Sequence, residues 1–175
     1  AATFERVKTA IDNGLDSIKF SIHGGTRETY KKIHKKDDFE RVIKNLIATD
    51  KYRKENKKNI KIYVSMVETY ANQNETDTLK KIVEPYIDGW DLKKMFNSCG
   101  TMPENNDIGE IEANNMRGRN HSDVCFQPFG SFTITPEGYL SGCVLDYHKA
   151  LIIGDCKKSS LKKLWHSKIY QKWRQ

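Results

Sequence analysis

The chain has 175 residues, of which 37% are hydrophobic and 30% are charged. This length is enough for one or two domains with buried cores, and the composition is that of a water-soluble protein. No apolar run approaches a membrane span and no signal peptide is visible, so no membrane partner is expected. Four cysteines without a secretory signal favour a reducing compartment, where metal binding is more frequent than disulfides. The expected location is the cytoplasm.

The formal charge of +7 comes with three lysine-rich runs, at residues 31–36, 51–61 and 157–172. A nucleic-acid surface would need aromatic side chains interleaved with these bases on one face. The bases fall instead near helix ends and on the polar sides of amphipathic segments, which is typical of solvated faces. A nucleic-acid partner is therefore not expected, and a basic nucleic-acid-binding domain remains only as an alternative.

The N-terminal half alternates predicted helices with predicted strands. In chain order, the apolar spacing predicts a helix over Thr3–Asn13 ended by Gly14, a strand over Asp16–His23, a short helix from Thr26 to about Ile33, a helix from Phe39, a strand over Ile60–Val67, a helix opened by Asn72–Glu75, and a strand over Trp90–Phe96. Residues 37–40 are predicted to form a capping box at the start of the fourth element. Strands separated by helices in this order predict parallel βαβ units and an α/β fold.

In residues 97–124 the apolar residues recur with neither helical nor strand spacing, and the segment is rich in Asn, Gly, Asp and Glu. A loop of this length is usually functional or mobile, so the segment is interpreted as a linker or active-site loop. Cys99 falls inside it and is interpreted as a bystander.

The C-terminal part begins with a cysteine and a predicted hairpin. Residues Ser131–Thr135 and Tyr139–Val144 read as paired strands around a turn in which Gly138 can adopt positive φ. This pairing is expected to bring Cys125 and Cys143 towards the same end of the hairpin. Two thiolates held in this way suit a disulfide, a zinc ion or an iron–sulfur cluster, and the residues alone leave all three open.

The same stretch resembles the opening of a SPASM domain, or of its shorter twitch relative. These domains bind auxiliary iron–sulfur clusters in radical S-adenosylmethionine enzymes. The resemblance begins with the spacing of Cys125, Gly138 and Cys143. It continues in the same order through Ile153-Gly154-Asp155, Ser160-Leu161 and Leu164-Trp165-His166-Ser167.

The segment Gly14–Gly24 is similar to the fourth barrel strand of the same enzymes. The resemblance implies that residues 1–96 form the C-terminal half of a partial (β/α)6 barrel, with strands four to six and their helices. Residues 97–124 would then be a linker. Residues 125–175 would be an incomplete SPASM-like or twitch-like domain, built from a β-hairpin and helices.

Two of the family's cysteine motifs are absent from this sequence. One is the Cys-x3-Cys-x2-Cys motif that binds the cluster that cleaves S-adenosylmethionine, and the other is the later cysteine run of a full SPASM domain. The chain is therefore expected to be an interior fragment that is inactive alone.

The resemblance implies the chemistry of the complete enzyme. A [4Fe–4S] cluster, reduced by a protein such as flavodoxin or ferredoxin, would cleave S-adenosylmethionine to a 5′-deoxyadenosyl radical. That radical would abstract hydrogen from a peptide, protein or small-molecule substrate. A metal- or thiol-stabilised binding module without catalysis is the alternative that the residues leave open.

The implied site residues fall into two groups. Ser21 and His23, at the end of the first predicted strand, and Lys35, near the position of the family's carboxylate-binding arginine, are expected to bind S-adenosylmethionine. For His23, a role in stabilising the turn is an equal alternative. Cys125 and Cys143 are the expected cluster ligands, and Cys156 is a third candidate.

Overall fold

Three parallel strands form a sheet in the computed structural model, which describes residues 3–98, 102–111 and 125–175. The chain divides into two compact units. The N-terminal unit comprises Ala1–Met95 with Ile108–Ile111, and the C-terminal unit comprises Phe96–Asp107 with Glu112–Gln175. Cys99 lies outside the described residues. Among the helices that are described, none has the length and apolar content needed to cross a membrane.

The N-terminal unit has the predicted alternation of helices and strands. Its elements are α1 (Phe4–Asp12), β1 (Ser17–Ser21), α2 (Arg27–His34), α3 (Phe39–Glu55), β2 (Lys61–Val67), α4 (Thr76–Val83) and β3 (Gly89–Lys93), with 3-10 turns at Gln73–Glu75 and Glu84–Tyr86. The prediction of an α/β fold with a parallel sheet is confirmed.

The sheet has the order β1-β2-β3, so β2 is its central strand. All three strands run parallel, and Ser21 lies opposite Ser65 while Val64 lies opposite Trp90. Because side chains alternate along a strand, the even-numbered and odd-numbered residues of β2 lie on opposite faces of the sheet. The even-numbered residues Ile62, Val64 and Met66 are fully buried.

The three helices that follow β1 and β2 bury one face of this sheet. Their apolar side chains join those of β2 in a single core: Ile22, Tyr30, Phe39, Val42, Leu46, Ile62, Val64, Met66, Leu79 and Val83. Burial of each large aliphatic side chain stabilises the fold by about 1.5–3 kcal/mol. A smaller cluster of Val7, Ile11 and Ile60 packs α1 onto the same unit.

The other face of the sheet is polar. Asp91 on β3 lies between two lysines, with Lys19 Nζ at 3.3 Å and Lys93 Nζ at 3.2 Å from its Oδ2 atom. Tyr63 of the central strand lies on this face and is 37% exposed. This face therefore differs in chemistry from the buried face beneath the helices.

Two details of the N-terminal unit differ from the sequence prediction. The third strand begins at Gly89 and ends at Lys93, while Met95 forms an isolated parallel bridge with Ile111. The predicted capping box at residues 37–40 is wrong. Asp38 precedes α3 without a side-chain cap, because its carboxylate accepts a 2.6 Å hydrogen bond from Arg41 instead. The predicted cap at Thr26 is confirmed, since its side chain accepts a hydrogen bond from the Thr29 amide.

The C-terminal unit contains a small antiparallel sheet and short helices. Its elements are a 3-10 turn (Pro103–Asp107), α5 (Gln127–Gly130), β4 (Thr133–Ile134), β5 (Tyr139–Ser141), β6 (Ile152–Asp155), α6 (Leu161–Trp165) and α7 (Lys168–Trp173). The sheet has the order β4-β5-β6. The predicted hairpin is confirmed, with shorter strands than expected, and Gly138 adopts φ of +90° in its turn.

The core of this unit consists of Leu140, Ile153, Leu164 and Tyr170. Gly154 lies against this core, since a Cβ atom there would be 2.5 Å from Leu164 Cδ2. The Ile-Gly and Leu-Trp pairs of the sequence are thus parts of one packing contact between β6 and α6.

Arg174 closes the core at the C-terminal end. Its guanidinium carbon lies 4.0 Å from the Trp165 ring centroid and 3.8 Å from that of Tyr170. Its Nε atom donates to the Pro128 carbonyl at 2.8 Å, and its Nη1 atom donates to the Trp165 carbonyl at 3.1 Å. The chain end is therefore tied to α5, which follows Cys125.

Candidate functional site

Cys125 is half-exposed and precedes the short helix α5. Pro128 lies in the first turn of this helix, where its missing N–H costs no hydrogen bond, and it is buried. The helix between Cys125 and the hairpin was not predicted from the sequence. Cys125 therefore does not continue directly into β4, and its approach to Cys143 remains a prediction.

Cys143 lies two residues after β5, in a loop held by side-chain and backbone hydrogen bonds. Its amide donates to Ser141 Oγ at 3.3 Å, and Ser141 Oγ donates to the Cys143 carbonyl at 3.0 Å. The Leu145 amide donates to Cys143 Sγ at 3.4 Å. This amide therefore presents a hydrogen-bond donor to the sulfur of Cys143.

The loop after Cys143 is held by hydrogen bonds to the Asp146 side chain. The carboxylate of Asp146 accepts hydrogen bonds from the amides of Ala150 at 2.9 Å and Leu151 at 2.7 Å. Ser141 Oγ lies 3.5 Å from the same carboxylate. These contacts connect the residues on both sides of Cys143 and fix the path of the backbone that presents its sulfur.

Cys156 follows β6 and contacts the core of the C-terminal unit. Its amide donates to the Gly138 carbonyl at 2.9 Å, across the turn of the hairpin. Cys125, Cys143 and Cys156 are all free thiols. In residues 3–98, 102–111 and 125–175, no group of three or more His, Cys, Asp or Glu side chains is arranged to hold a metal ion.

The donor chemistry of Cys125 and Cys143 fits an iron–sulfur cluster, since clusters are held mainly by cysteine thiolates and are tuned by hydrogen bonds to sulfur. Two thiolates would occupy two of the four cysteine positions of a [4Fe–4S] cluster. The hydrogen bond from the Leu145 amide to Cys143 Sγ is the feature of this structure that matches such a ligand.

In the N-terminal unit, Ser21 ends β1 on the polar face of the sheet. Its hydroxyl oxygen lies 3.3 Å from that of Ser65, its register partner on β2. Ser65 is only 6% exposed and was not predicted as a site residue. Ser21 also lines a cavity of about 410 Å³, together with His34 and Lys36.

His23 and His34 form a stacked pair beyond the end of β1. Their ring centroids are 5.1 Å apart with planes 4° from parallel, and Tyr30 stacks on the other side of His34 at 4.1 Å. His23 Nδ1 accepts the Val67 amide at 3.0 Å, and His34 Nε2 accepts the His23 amide at 3.3 Å. An imidazole nitrogen accepts a hydrogen bond only when it carries no proton, so this arrangement requires both rings to be neutral.

The electrostatics of the pair agree with this geometry. Burial lowers the pKa of His23, and the neighbouring His34 lowers it further. Burial also lowers the pKa of His34. Because its Nδ1 atom accepts a hydrogen bond, neutral His23 carries its proton on Nε2 and offers that atom as a donor.

Lys35 is exposed and adopts φ of 56°, where it ends α2 in the left-handed region. Lys36 rather than Lys35 contributes to the lining of the cavity beside Ser21. His23 is likewise outside the set of lining residues. Ser21 and Lys36 thus line one cavity, whereas His23 lies in the turn that follows β1.

Two residues with structural roles near the ends of β1 and β2 were not singled out from the sequence as site residues. Asn72 is 1% exposed, and its Nδ2 atom donates to the carbonyls of His23 at 3.0 Å and Val67 at 2.9 Å. Its Oδ1 atom accepts the Thr69 amide at 2.6 Å. Asn72 therefore joins the ends of β1 and β2. The sequence offered one signal for it, an Asn shortly after a strand, where amide side chains often bond to nearby backbone.

Glu75 is the second of these residues, and it binds the turn before α2. Its carboxylate accepts hydrogen bonds from the amides of Gly25 at 2.7 Å and Thr26 at 3.1 Å. The hydroxyls of Thr26 at 3.0 Å and Thr29 at 2.6 Å donate to the same group. Burial opposes ionisation, but these bonds prevail and lower the pKa of Glu75.

Comparison with known families gives one match. Residues 125–175 match the model of the SPASM family, an iron–sulfur cluster-binding domain. This segment begins at Cys125 and includes Cys143, both short β-hairpin strands and α6 and α7. No curated protein sequence matches the chain.

SPASM domains occur in radical S-adenosylmethionine enzymes, where they bind auxiliary iron–sulfur clusters. The match supports iron–sulfur binding by the C-terminal part of this chain. The identity of the ligands, and of any enzyme to which this part contributes, belongs to the proposals below.

Proposed function

We propose that Cys125 and Cys143 bind an auxiliary [4Fe–4S] cluster in a radical S-adenosylmethionine enzyme. The observation that carries the proposal is the SPASM match over residues 125–175, which includes both cysteines. The amide of Leu145 supports it, because it donates a hydrogen bond to Cys143 Sγ, and hydrogen bonds to cysteine sulfur tune iron–sulfur clusters. Cys156 is the proposed third ligand.

The N-terminal unit supports the assignment to such an enzyme. Its parallel βαβ units bury one face of the sheet and leave a polar face, which suits strands four to six of a partial (β/α)6 barrel with a polar interior. The ends of parallel strands are where barrel enzymes build their sites. Ser21 lies at the end of β1, and the cavity that it lines extends beside this strand to Ile18.

Three residues near this strand end are proposed to bind S-adenosylmethionine. Ser21 offers a hydroxyl that donates and accepts hydrogen bonds with the ribose or amino-acid group. His23 offers its Nε2–H as a donor, and Lys35 supplies a positive charge for the cofactor carboxylate. Asn72 positions His23 by donating a hydrogen bond to the His23 backbone carbonyl.

When bound, S-adenosylmethionine and its cluster supply a 5′-deoxyadenosyl radical that takes a hydrogen atom from a peptide, protein or small-molecule substrate. The sequence contains no Cys-x3-Cys-x2-Cys motif, so this chain does not supply the three ligands of that cluster. The role of the residues shown is to hold the auxiliary cluster and to position cofactor groups.

Metal analysis of the protein purified without oxygen tests the proposal. Iron, zinc and acid-labile sulfide are measured together with the visible spectrum before and after dithionite. Wild-type protein is expected to contain iron and sulfide, whereas Cys125→Ser and Cys143→Ser lose most of both. Cys99→Ser is the matched control and is expected to retain them. Zinc without sulfide would overturn the proposal and favour a metal-stabilised binding module.

A further inference from the structure

The cavity beside β1 lies at an edge of the sheet that no strand among the described residues covers. The sheet has the order β1-β2-β3, so β1 is an outer strand. The Ile22 amide donates to the Ser65 carbonyl of β2, so the even-numbered residues of β1 direct their backbone groups to β2 and the odd-numbered residues direct theirs to the open edge. Lys19 and Ser21 are odd-numbered, and both line the cavity. Their backbone groups add hydrogen-bonding capacity to this side of it.

The apolar walls of the cavity are fixed by the core of the N-terminal unit. Tyr30 of α2 and Val42 of α3 are buried members of that core. Ile18 and Phe20 of β1 pack against it, and all four side chains line the cavity. Because core packing holds these side chains, the cavity exists before any ligand binds, as is usual for small-molecule sites. Its volume of about 410 Å³ is in the range of such sites.

Two hydrogen-bond donors that have no acceptor among the described residues line the same cavity. Lys36 is exposed and forms no ion pair within the described part of the chain, because the neighbouring carboxylate of Asp37 binds Arg27 instead. The second donor belongs to His34. Its Nε2 atom accepts the His23 amide, so the neutral ring carries its proton on Nδ1, and this N–H has no described acceptor.

The charges around the cavity suit a ligand with one negative charge. Lys19 lines the cavity but pairs with Asp91, at 3.3 Å, which leaves Lys36 as the lining cation without a described partner. Asp38 also lines the cavity, and Arg41 holds its carboxylate at 2.6 Å. A carboxylate would match the single charge of Lys36, whereas Asp38 would repel a dianion such as a phosphate monoester more strongly.

We propose that this cavity binds an aromatic monocarboxylate. The ring of the ligand lies against Phe20 and Tyr30, since aromatic rings pair favourably with one another beyond the burial of their area. The carboxylate accepts hydrogen bonds from the Lys36 ammonium group and the His34 Nδ1–H, which are charge-assisted. The site goes beyond the proposed cofactor contacts, because Lys35 does not line the cavity.

Titration of 3-phenylpropionate into the full chain tests the site, with amide shifts followed by nitrogen-15 NMR. The amides of Phe20, His34 and Lys36 are expected to shift. Lys36→Met is expected to weaken binding by about fivefold or more, because it removes the charge that the carboxylate contacts. Lys35→Met is the matched control and is expected to bind like wild type, since it removes the same charge one residue away. Equal weakening in both variants would overturn the proposal.

Three related compounds test the chemistry of the ligand. Propionate lacks the ring and 3-phenylpropan-1-ol lacks the charge, so both are expected to bind more weakly than 3-phenylpropionate. The alcohol is also expected to bind Lys36→Met as well as it binds wild type. An equal loss for the alcohol and the acid would show that Lys36 does not contact the carboxylate. Tighter binding of phenyl phosphate than of 3-phenylpropionate would overturn the assignment to a monocarboxylate.

Competition separates this site from the proposed cofactor site, with which it shares Ser21. Excess S-adenosylmethionine is added to the complex of the protein with 3-phenylpropionate. The shifts at Phe20 and Lys36 are expected to remain. Their loss would overturn the proposal and assign the cavity to the cofactor. A protein that lacks iron and sulfide but retains the shifts would overturn the proposed function alone.

Discussion

The imidazole rings of His23 and His34 are stacked 5.1 Å apart, and each uses a ring nitrogen to accept a backbone amide. This relationship joins the exit of β1 to both β2 and α2. It holds only while both rings are neutral, because protonation removes the acceptor. The pair is therefore expected to respond to acid, and it includes His23, one of the proposed cofactor residues.

Acid is expected to weaken the N-terminal unit through these histidines. Their pKa values are lowered in the folded state, so the unfolded chain binds more protons as the pH falls below about 6.5. The stability from neutral rings is fully present above that pH and declines as the pH falls through the lowered pKa values. Urea unfolding at pH 7.5 and 5.5 measures this loss.

His23→Asn provides the comparison for this prediction, because an amide oxygen can accept the Val67 amide without titrating. The loss of stability between the two pH values is expected to be smaller in this variant than in wild type. An equal loss in both proteins would show that His23 does not contribute to the acid response.

Replacing Glu75 with glutamine is expected to destabilise the N-terminal unit by about 1–2 kcal/mol. The carboxylate accepts four hydrogen bonds from Gly25, Thr26 and Thr29, and an amide has only one oxygen to accept them. Equilibrium unfolding in urea measures the effect. Glu28→Gln changes an exposed carboxylate at the start of α2 and should stay within about 0.5 kcal/mol of wild type. A similar loss in both variants would point to the charge near the helix rather than to the hydrogen bonds.

Gly154→Ala is expected to destabilise the C-terminal unit by about 1–3 kcal/mol, because the new methyl group would overlap Leu164. The double variant Gly154→Ala/Leu164→Ala should be more stable than the sum of the two single losses predicts, since the shorter side chain removes the overlap. Thermal unfolding of the four proteins measures this coupling. Gly130→Ala is the control, because a Cβ atom at Gly130 meets nothing within 4 Å. Strict additivity would contradict the proposed contact.

Leu145→Pro is expected to make the reduction potential of the proposed cluster more negative. Proline has no amide proton, so Cys143 Sγ loses its hydrogen bond, and the reduced state carries more negative charge on sulfur. Leu145→Ala keeps the amide and serves as the control. Potentiometric titration of both variants measures the shift, and an unchanged potential in Leu145→Pro would exclude a tuning role for this amide.

The sequence predicted the elements of the fold better than their ends. The alternation of Ile18 and Phe20 in β1, and of Ile62, Val64 and Met66 in β2, identified two strands because one face of each is buried. The third strand was misplaced by a few residues, since Gly89 pairs in the sheet beside the Tyr63 ring. A glycine that ends a helix and one that begins a strand look alike in a sequence.

The contacts that shape the candidate site were beyond sequence reasoning for a different reason. Glu75 binds Gly25 across fifty residues of chain, and His34 reaches His23 only because α2 folds back over the end of β1. Such partners depend on how elements pack, not on local pattern. The capping box failed for a local reason, because Arg41 competes for the Asp38 carboxylate within a single helical turn.

The central position of β2 has a consequence for the dynamics of the N-terminal unit. It pairs with β1 from Lys61 to Ser65 and with β3 from Tyr63 to Val67, so both neighbours pair with it at residues 63–65. In deuterated water, its amide protons are expected to be among the last of this unit to exchange, because their release requires separating a strand from two neighbours. The exchange rates of Ile62, Val64 and Met66 would then report complete unfolding of the unit, while those of the outer strands would report smaller local openings.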